Sequence, residues 1–372
     1  MSAREAALIP VTLLTGFLGS GKTTLLNRLL RAPALAGAAV IVNEFGEVGL
    51  DHLLIETSEE RFALLDNGCL CCTVRGDLVD TLKSLLDRRV GGAPAAPTRV
   101  LIETTGLADP APILHTLIAD ATLAAHFRVD SVTTTVDAVN GENTLAAHPE
   151  AIKQVAVADH LLLTKTDLVA TPALDRLRRQ LRAINPAARL RACRNGEIAA
   201  KTVFGGGFSS LSGRSAETVA WFRQTTAAIE REARRAAHGA ECADPACRHP
   251  AHGLRYEPGH AARVNTFSIV IAEPLAWTAF SQWLEYLAAM KGEDLLRFKG
   301  LVHIAEKPET PIVVHGVQHV FHPPRELSGW PSGDRRTRLV FITRDIPRRL
   351  IEDTLSKFGA IARSRIERPV AA

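Results

Sequence analysis

The chain has 372 residues, 46% of them hydrophobic and 23% charged, so it is long enough for two globular domains of ordinary composition. Its net charge of +4 is too small to indicate a nucleic-acid partner, and no apolar run is long enough to cross a membrane. The first apolar run, 8–14, leads straight into a glycine-rich loop without a cleavage-like site, which argues against a signal peptide. We expect a cytoplasmic protein, since the chain is not predicted to be secreted and its clustered cysteines suit metal or redox chemistry better than disulfides. We also expect it to be monomeric or weakly homo-oligomeric.

Residues 16–23, Gly-Phe-Leu-Gly-Ser-Gly-Lys-Thr, stand between this apolar run, predicted to be a strand, and a helical pattern over 24–31. A strand, a loop of this composition and a helix form a P-loop, whose backbone N–H groups surround phosphate oxygens. Lys22 is expected to reach the β- and γ-phosphates, and the Thr23 hydroxyl to hold Mg²⁺. The predicted nucleotide-binding residues of this loop are Gly16, Gly19, Ser20, Gly21, Lys22, Thr23 and Thr24.

Four further apolar runs are predicted to be buried strands, at 38–43, 99–103, 129–137 and 160–164. Helical patterns accompany them at 76–89, 110–119, 149–157 and 172–184. Strands that alternate with helices predict an α/β fold with a mostly parallel sheet, whose ligands bind beyond the carboxyl ends of the strands. The residues at those ends are Gly16, Asn43, Glu103, Asp137 and Lys165.

The second half of the chain changes character. We predict a linker over 205–213, a helix over 215–238 that stops at Gly239, and a loop over 241–262. Strand and helix patterns from 263 onward predict a smaller α+β domain with an antiparallel sheet, in ferredoxin-like order. The predicted boundaries are a nucleotide domain over 1–205, a connecting region over 206–262, and a C-terminal domain over 263–365, followed by a frayed tail.

Two motifs predict the base and the phosphate sensor. Residues 164–167, Thr-Lys-Thr-Asp, follow a strand at the distance from the P-loop where guanine is selected. There Asp167 can accept two hydrogen bonds from guanine that adenine cannot supply, and the Lys165 stem can lie along the base. Glu103 is expected to hold the Mg²⁺ shell through water, and the Gly106 N–H to meet the γ-phosphate. Lys22, Glu103 and Gly106 are the predicted catalytic residues.

Three cysteines stand within four residues, at Cys69, Cys71 and Cys72. Thiolates favour Zn²⁺ or similar metals over Mg²⁺, so we expect a transition-metal site here, although burial as small hydrophobic residues or redox sensing would also explain them. The cysteines lie between the two segments where a P-loop protein senses the γ-phosphate, so metal and nucleotide should affect each other's binding. Glu47 is either an oxygen ligand of the same ion or a solvated loop residue.

A second cluster of nitrogen and sulfur donors occupies one short segment. Its members are Cys242, Cys247, His249 and His252. Four such donors suit a tetrahedral ion, which would make the segment a storage or delivery site, but their spacing matches no standard zinc finger. A polar loop between domains is the alternative.

Together these motifs resemble the CobW family of P-loop GTPases. The likeness rests on five segments, 16–24, 43–48, 67–72, 103–110 and 163–167, and extends over 297–300 and 314–318 into the C-terminal domain. The resemblance implies a GTP-dependent metal chaperone, for zinc in most members and for cobalt in some, with the family's motif cysteines at Cys69, Cys71 and Cys72. The segment 242–252 is not a universal feature of the family.

The sequence therefore predicts a GTPase that binds GTP, Mg²⁺ and Zn²⁺ (or Co²⁺) and delivers the transition metal to a client metalloprotein. Intrinsic turnover should be slow, because no arginine finger is evident. Two other hypotheses remain. The first is a metal buffer or sensor whose GTPase cycle controls partner binding without metal transfer. The second is a P-loop kinase, which a strong preference for ATP would favour.

Overall fold

The computed structural model describes residues 8–32, 35–42, 62–64, 73–90, 97–193, 198–199, 203–204, 215–241, 263–330 and 333–358. At 62–64, 73–77, 87–90, 215–217 and 232–241 it describes the backbone only. The chain divides into two compact units. The first comprises residues 1–144, 148–180 and 188–210, and the second comprises 145–147, 181–187 and 211–372. None of the helices in the described ranges is both long and apolar enough to span a membrane.

Within the described residues, the first unit contains a seven-stranded parallel sheet. Its strands are β1 (Ile9–Gly16), β2 (Ala38–Val42), β3 (Phe62–Leu64), β4 (Arg99–Glu103), β5 (Phe127–Asp137), β6 (His160–Thr164) and β7 (Arg189–Ala192). They lie in the order β3-β2-β4-β1-β5-β6-β7. The helices in this part of the chain are α1 (Lys22–Leu30), α2 (Thr73–Val90), α3 (Ala111–Ala119), α4 (Ala121–His126), α5 (Gly141–Ala147), α6 (Pro149–Val157) and α7 (Thr171–Ile184).

Apolar side chains of the strands and of helix α1 pack together on one face of this sheet. The β1 residue Leu14 and the β6 residue Leu162 are fully buried in one cluster. Leu25, Leu26 and Leu29 of α1 join the cluster, because helical spacing puts them on one face. Strands β2, β4 and β6 are buried almost throughout and mainly apolar, as expected for a parallel sheet with both faces covered, whereas β5 carries several buried threonines and β7 is largely exposed. The predicted α/β fold is confirmed, and the sequence prediction had missed β3, β7, α4 and α5.

The second unit contains an antiparallel sheet. Its strands are β8 (Val264–Ile271), β9 (Arg297–Ile304), β10 (Lys307–Val317), β11 (Val320–Phe321), β12 (Arg325–Glu326) and β13 (Thr337–Arg344). They lie in the order β11-β10-β9-β13-β8, with β12 paired to β10. The helices are α8 (Ser215–Glu241), α9 (Trp277–Lys291) and α10 (Arg348–Lys357).

The two faces of this sheet differ. Phe298 and Phe341 point to one face, where they pack with Trp283 of α9 in a fully buried core. Their alternating neighbours, among them Arg297 and Lys299, are also buried but carry charge. A strand pattern of period two therefore separates an apolar face from a polar one.

Two predictions about this unit were wrong. The order is not ferredoxin-like, because residues 318–336 contain two short strands where that order requires a helix, and the last helix follows the last strand. Helix α8 also continues past Gly239 to Glu241. A glycine inside a helix costs only about 1 kcal/mol, which the good helix formers around it can offset.

Candidate functional site

The predicted P-loop joins β1 to α1. Gly16 ends β1 with φ +143°, and a Cβ atom on it would lie 2.3 Å from Thr135 Oγ1, so only glycine fits there. The helix α1 then begins at Lys22, whose Nζ donates hydrogen bonds to the carbonyl oxygens of Gly16 (2.9 Å) and Phe17 (3.2 Å). The lysine cation therefore lies against the loop, at the positive end of a helix dipole.

Hydroxyl groups hold the loop to the strands beneath it. Ser20 Oγ and Thr135 Oγ1 are 2.7 Å apart, and Thr104 Oγ1 donates to Thr15 Oγ1 at 2.8 Å. All four residues are almost fully buried. These bonds connect the P-loop to β5, and the end of β1 to the residue that follows β4.

Thr23 and Glu103 meet beside the loop. The register of the parallel pair β1–β4 sets Glu103 next to Leu14, at the carboxyl end of the sheet. Thr23 Oγ1 donates to Glu103 Oε1 at 3.2 Å, and Glu103 is only 4% exposed. A hydroxyl and a carboxylate are hard oxygen ligands of the kind that Mg²⁺ prefers, so the chemistry of this pair fits the ion.

Gly106 presses against the P-loop. A Cβ atom on Gly106 would lie 2.6 Å from the backbone nitrogen of Leu18 and 2.7 Å from its Cα, a distance that side chains do not tolerate. Gly106 thus brings the segment that follows β4 into direct contact with the phosphate loop, as a γ-phosphate sensor requires.

The predicted base-selecting motif follows β6. Thr164, which stands where an asparagine is usual, donates through Oγ1 to the Ser20 carbonyl at 2.8 Å and to the Val136 carbonyl at 3.2 Å. Its hydroxyl therefore ties the motif to the P-loop directly. Lys165 takes a left-handed conformation (φ 54°), and its Nζ donates to the Gly19 carbonyl at 2.9 Å. Asp167 is exposed at the carboxyl end of the sheet, in a short 3-10 helix.

Asp137 is a site residue to which the sequence analysis assigned no role. Its Oδ2 accepts a hydrogen bond from Lys165 Nζ at 2.8 Å and from Asn140 Nδ2 at 3.1 Å, and its Oδ1 accepts one from the Val139 N–H. Burial by itself raises the pKa of Asp137, but these bonds, that from Lys165 above all, hold the pKa below its ordinary value. The available signal was its position: an acid at the end of β5, in the strand next to the base-selecting motif.

The remaining predicted site residues separate into two groups. Gly19 and Gly21 adopt positive φ within the P-loop, and Thr24 is exposed on the first turn of α1. The predicted transition-metal ligands all lie outside the described residues: Glu47, Cys69, Cys71, Cys72, Cys242, Cys247, His249 and His252. Among the residues that the structure describes, no group of three or more His, Cys, Asp or Glu side chains could hold a metal ion.

The fold and the loop together define a P-loop nucleoside triphosphatase. The parallel sheet, the lysine at the start of α1 and the acid at the end of β4 are the recurring parts of that class.

The comparisons with known proteins narrow the class. Residues 10–191 match the model of the CobW/HypB/UreG nucleotide-binding domain, and residues 264–359 match that of the cobalamin synthesis protein cobW C-terminal domain. The chain is 32% identical over 346 residues to the zinc chaperone YjiA of Escherichia coli, covering 91% of this chain and 95% of that protein. It is 27% identical to the zinc chaperone CobW of Sinorhizobium sp, covering 90% of this chain and 92% of that protein.

A solved structure shows the same fold. The crystal structure of Zn(II)-bound YjiA GTPase from E. coli superposes with a TM-score of 0.66 at 24% identity, covering 94% of this chain and 99% of that one. The chain belongs to the CobW family of P-loop GTPases, and it is a GTPase.

Proposed function

We propose that this GTPase is a metallochaperone, which binds a transition metal at Cys69, Cys71 and Cys72 and transfers it to a client metalloprotein. Zinc is the proposed metal, with cobalt as the second candidate, and Glu47 is a proposed further ligand. Relatives support the choice of zinc, since two that match most of this chain bear the name zinc chaperone. A relative in Schizosaccharomyces pombe, named a zinc-regulated GTPase metalloprotein activator, supports a client protein.

The proposed roles in the nucleotide site follow from the contacts described above. Lys22 stabilises the charge of the β- and γ-phosphates, and Gly106 senses the γ-phosphate from its position against Leu18. Thr23 and Glu103 would hold Mg²⁺, which when bound neutralises charge on the phosphates. Lys165 and Asp167 select guanine, with Lys165 held in place by Asp137.

One observation carries the link between metal and nucleotide. The sheet register aligns Leu14, Glu103, Val42 and Leu64 in one row across four adjacent strands. Leu64 is therefore two strands, or about 10 Å, away from Glu103, and both lie at the carboxyl end of the sheet. The cysteine motif begins five residues after Leu64 and is followed directly by α2, so the strand that precedes the motif ends at the same carboxyl end of the sheet as the proposed nucleotide site.

The proposed mechanism couples release to hydrolysis. While GTP is bound, the segments on either side of the γ-phosphate hold the thiolates in position around the ion. After hydrolysis these segments relax, which lowers the metal affinity and allows the client to take the ion. By linkage, the metal must raise the affinity for GTP relative to GDP by the same factor.

The test is a titration of Zn²⁺ into protein that carries either a non-hydrolysable GTP analogue or GDP. We expect tighter binding with the analogue, by about 5- to 150-fold, the usual range of such coupling. Triple replacement of Cys69, Cys71 and Cys72 by alanine should abolish this binding, whereas Cys193→Ala, which removes a core thiol that is 0% exposed, should leave it unchanged. Equal zinc affinities in the two nucleotide states would contradict the switch.

A second experiment separates delivery from buffering. Zinc-loaded protein is mixed with a metal-free client captured from zinc-starved cells, and the zinc content of the client is measured with and without GTP. Transfer that requires hydrolysable GTP supports the chaperone. Stable binding of the client without transfer would instead identify a GTP-controlled buffer or sensor.

A further inference from the structure

Helix α6 holds the segment that follows β4 through one buried side chain. Gln154, which is 1% exposed, donates through Nε2 to the carbonyl oxygens of Gly106 and Ala108, both at 3.1 Å. Since both partners are acceptors only, the NH₂ side of the amide must face them. The orientation of the Gln154 side chain is therefore set by chemistry.

The helix that carries Gln154 is itself well anchored. Thr134 Oγ1 of β5 donates to the Gln154 main-chain carbonyl at 2.8 Å. The neighbouring Lys153 donates through Nζ to Asp109 Oδ2 at 2.8 Å, in a pair that is about one quarter exposed. Consecutive residues of a fixed helix thus hold Gly106, Ala108 and Asp109, and the buried amide is the stronger of the two contacts because water screens the ion pair.

The contact between Gln154 and the Gly106 carbonyl matters because Gly106 lies against the P-loop. Gly106 lies against Leu18 of the P-loop, so the peptide groups on either side of its Cα have little room to turn. Gln154 fixes the direction of the Gly106 carbonyl. The Gly106 N–H, which shares the same Cα, is thereby restricted as well, and it is this N–H that is proposed to meet the γ-phosphate.

The second half of the amide is not used by the described residues. Within the described part of the chain, Gln154 Oε1 is buried and accepts no hydrogen bond. A buried acceptor in that condition costs about 1–3 kcal/mol.

We propose that Gln154 is a positioning residue for GTP hydrolysis, which orients the Gly106 peptide toward the γ-phosphate by holding two carbonyl groups of the segment 104–110. The proposal rests on the proposed role of Gly106 as phosphate sensor. It does not depend on the metal site, and the zinc titration above neither supports nor contradicts it.

The test compares Gln154→Glu with Gln154→Leu in single-turnover GTP hydrolysis. A carboxylate has no proton to donate and would repel both carbonyls, so Gln154→Glu should hydrolyse GTP about tenfold more slowly than wild type at pH 8. A protonated carboxyl restores one donor, and burial raises the pKa of such a group. The rate of Gln154→Glu relative to wild type should therefore recover at about pH 6, whereas Gln154→Leu should stay slow at both pH values.

Controls separate positioning from a loss of folding. Glu150→Gln changes a charge on the same helix one turn away and should hydrolyse GTP at the wild-type rate. Affinity for GDP, which lacks the γ-phosphate, should change less than threefold in every Gln154 variant that folds. If Gln154→Leu does not fold, Gln154→Asn, which keeps the amide but shortens the side chain, takes its place.

Two results would overturn the proposal: a wild-type rate in folded Gln154→Leu, or a defect in Gln154→Glu that is the same at both pH values. Gly106→Ala, measured in parallel, isolates the premise. A wild-type rate in Gly106→Ala removes the phosphate sensor itself. A slow Gly106→Ala with a normal Gln154→Leu removes only the role of Gln154.

Discussion

Buried polar side chains support different parts of the molecule in the two units of this protein. In the first unit, which contains the P-loop and is called the nucleotide unit below, hydroxyls support the candidate site. Ser20 bonds Thr135, Thr104 bonds Thr15, and Thr164 bonds the Ser20 carbonyl. In the second unit, two charged residues flank Phe298 on β9: Arg297 and Lys299, which are 7% and 4% exposed.

The buried charges of the second unit contact its sheet and the helix beside it. Lys299 Nζ lies 4.5 Å from the ring centroid of Trp221 on α8, within range of a cation–π contact. Lys299 pairs across the ladder with His315. Burial keeps the pKa of His315 well below its ordinary value, and the nearby His322 and Lys299 lower it further, so the His315 ring is neutral at physiological pH.

The two units therefore differ in what their charged side chains are expected to do. A hydroxyl carries no net charge, so a network of hydroxyls fixes a loop without adding a charge that would attract or repel phosphate. The charged groups Lys22 and Lys165 can then face the loop. The buried charges of the second unit have no assigned contact with nucleotide, so their removal should affect stability and leave nucleotide chemistry unchanged.

The largest effect is expected from Lys22→Ala. Loss of a cation that lies against the phosphate loop should slow GTP hydrolysis by about 10²–10³-fold, the usual cost of removing one donor aimed at developing charge. Steady-state release of inorganic phosphate is the measurement. Lys83→Ala, which removes a 40% exposed lysine paired with Asp120 at 3.6 Å, is the control and should be normal. A loss of less than tenfold in Lys22→Ala would contradict the assigned role.

Asp334→Asn should have the next largest effect, on stability alone. Asp334 Oδ2 accepts a bond of 2.6 Å from Arg338, which is 3% exposed, so the substitution leaves a buried cation with a weaker partner. We expect the free energy of unfolding of the second unit to fall by about 2–3 kcal/mol, less than for a fully buried pair since Asp334 is one fifth exposed. GTP hydrolysis should be unaffected.

Tryptophan fluorescence can measure the stability of the second unit. All four tryptophans, Trp221, Trp277, Trp283 and Trp330, belong to the second unit, so their fluorescence in a denaturant titration reports its unfolding. The control is Glu309→Gln, which removes the 74% exposed partner of Arg335 and should change stability by under 1 kcal/mol. Equal unfolding midpoints for Asp334→Asn and wild type would show that the pair does not stabilise the unit.

The same pair has a defined pH dependence. Hydrogen bonds from Arg336, then from Arg338, hold the pKa of Asp334 far below its ordinary value although burial opposes them. Because the folded pKa is lowered, the contribution of Asp334 is complete above about pH 4 and is lost only as the pH falls below that value. Between pH 4 and pH 2, wild type should therefore lose more stability than Asp334→Asn.

The smallest effect is expected from Asp137→Asn, which tests whether a charge in the nucleotide unit acts through another residue. Without the carboxylate, Lys165 keeps only the Gly19 carbonyl, and GDP should dissociate about tenfold faster, equivalent to about 1.4 kcal/mol. Stopped-flow release of a fluorescent GDP analogue measures the rate. Asp175→Asn, at an exposed pair with Arg178, is the control. Unchanged release would mean that Asp137 serves only the fold.

How far the sequence predicted the site depended on how close together the contacting residues are in the chain. The P-loop was predictable because its glycines, Lys22 and Thr23 are adjacent, and the turn that they form is largely local. Asp137 and Gln154 were not assigned roles, since Asp137 meets Lys165 across 28 residues and Gln154 meets Gly106 across 48. The bond of Thr164 to the Ser20 carbonyl likewise joins residues 144 positions apart, so no local pattern predicts it.

The sequence alone determined the class of fold, the nucleotide loop and the alternation of strands with helices, because periodicity and short motifs depend on neighbouring residues. Tertiary structure alone decided that Glu103 meets Thr23, that Gln154 meets Gly106, and that β13 lies between β9 and β8 instead of in a ferredoxin-like order. These features depend on strand register and on which helix face meets which segment. Strand register and packing depend on the burial of side chains that are distant in the chain, so no local sequence pattern predicts these two features.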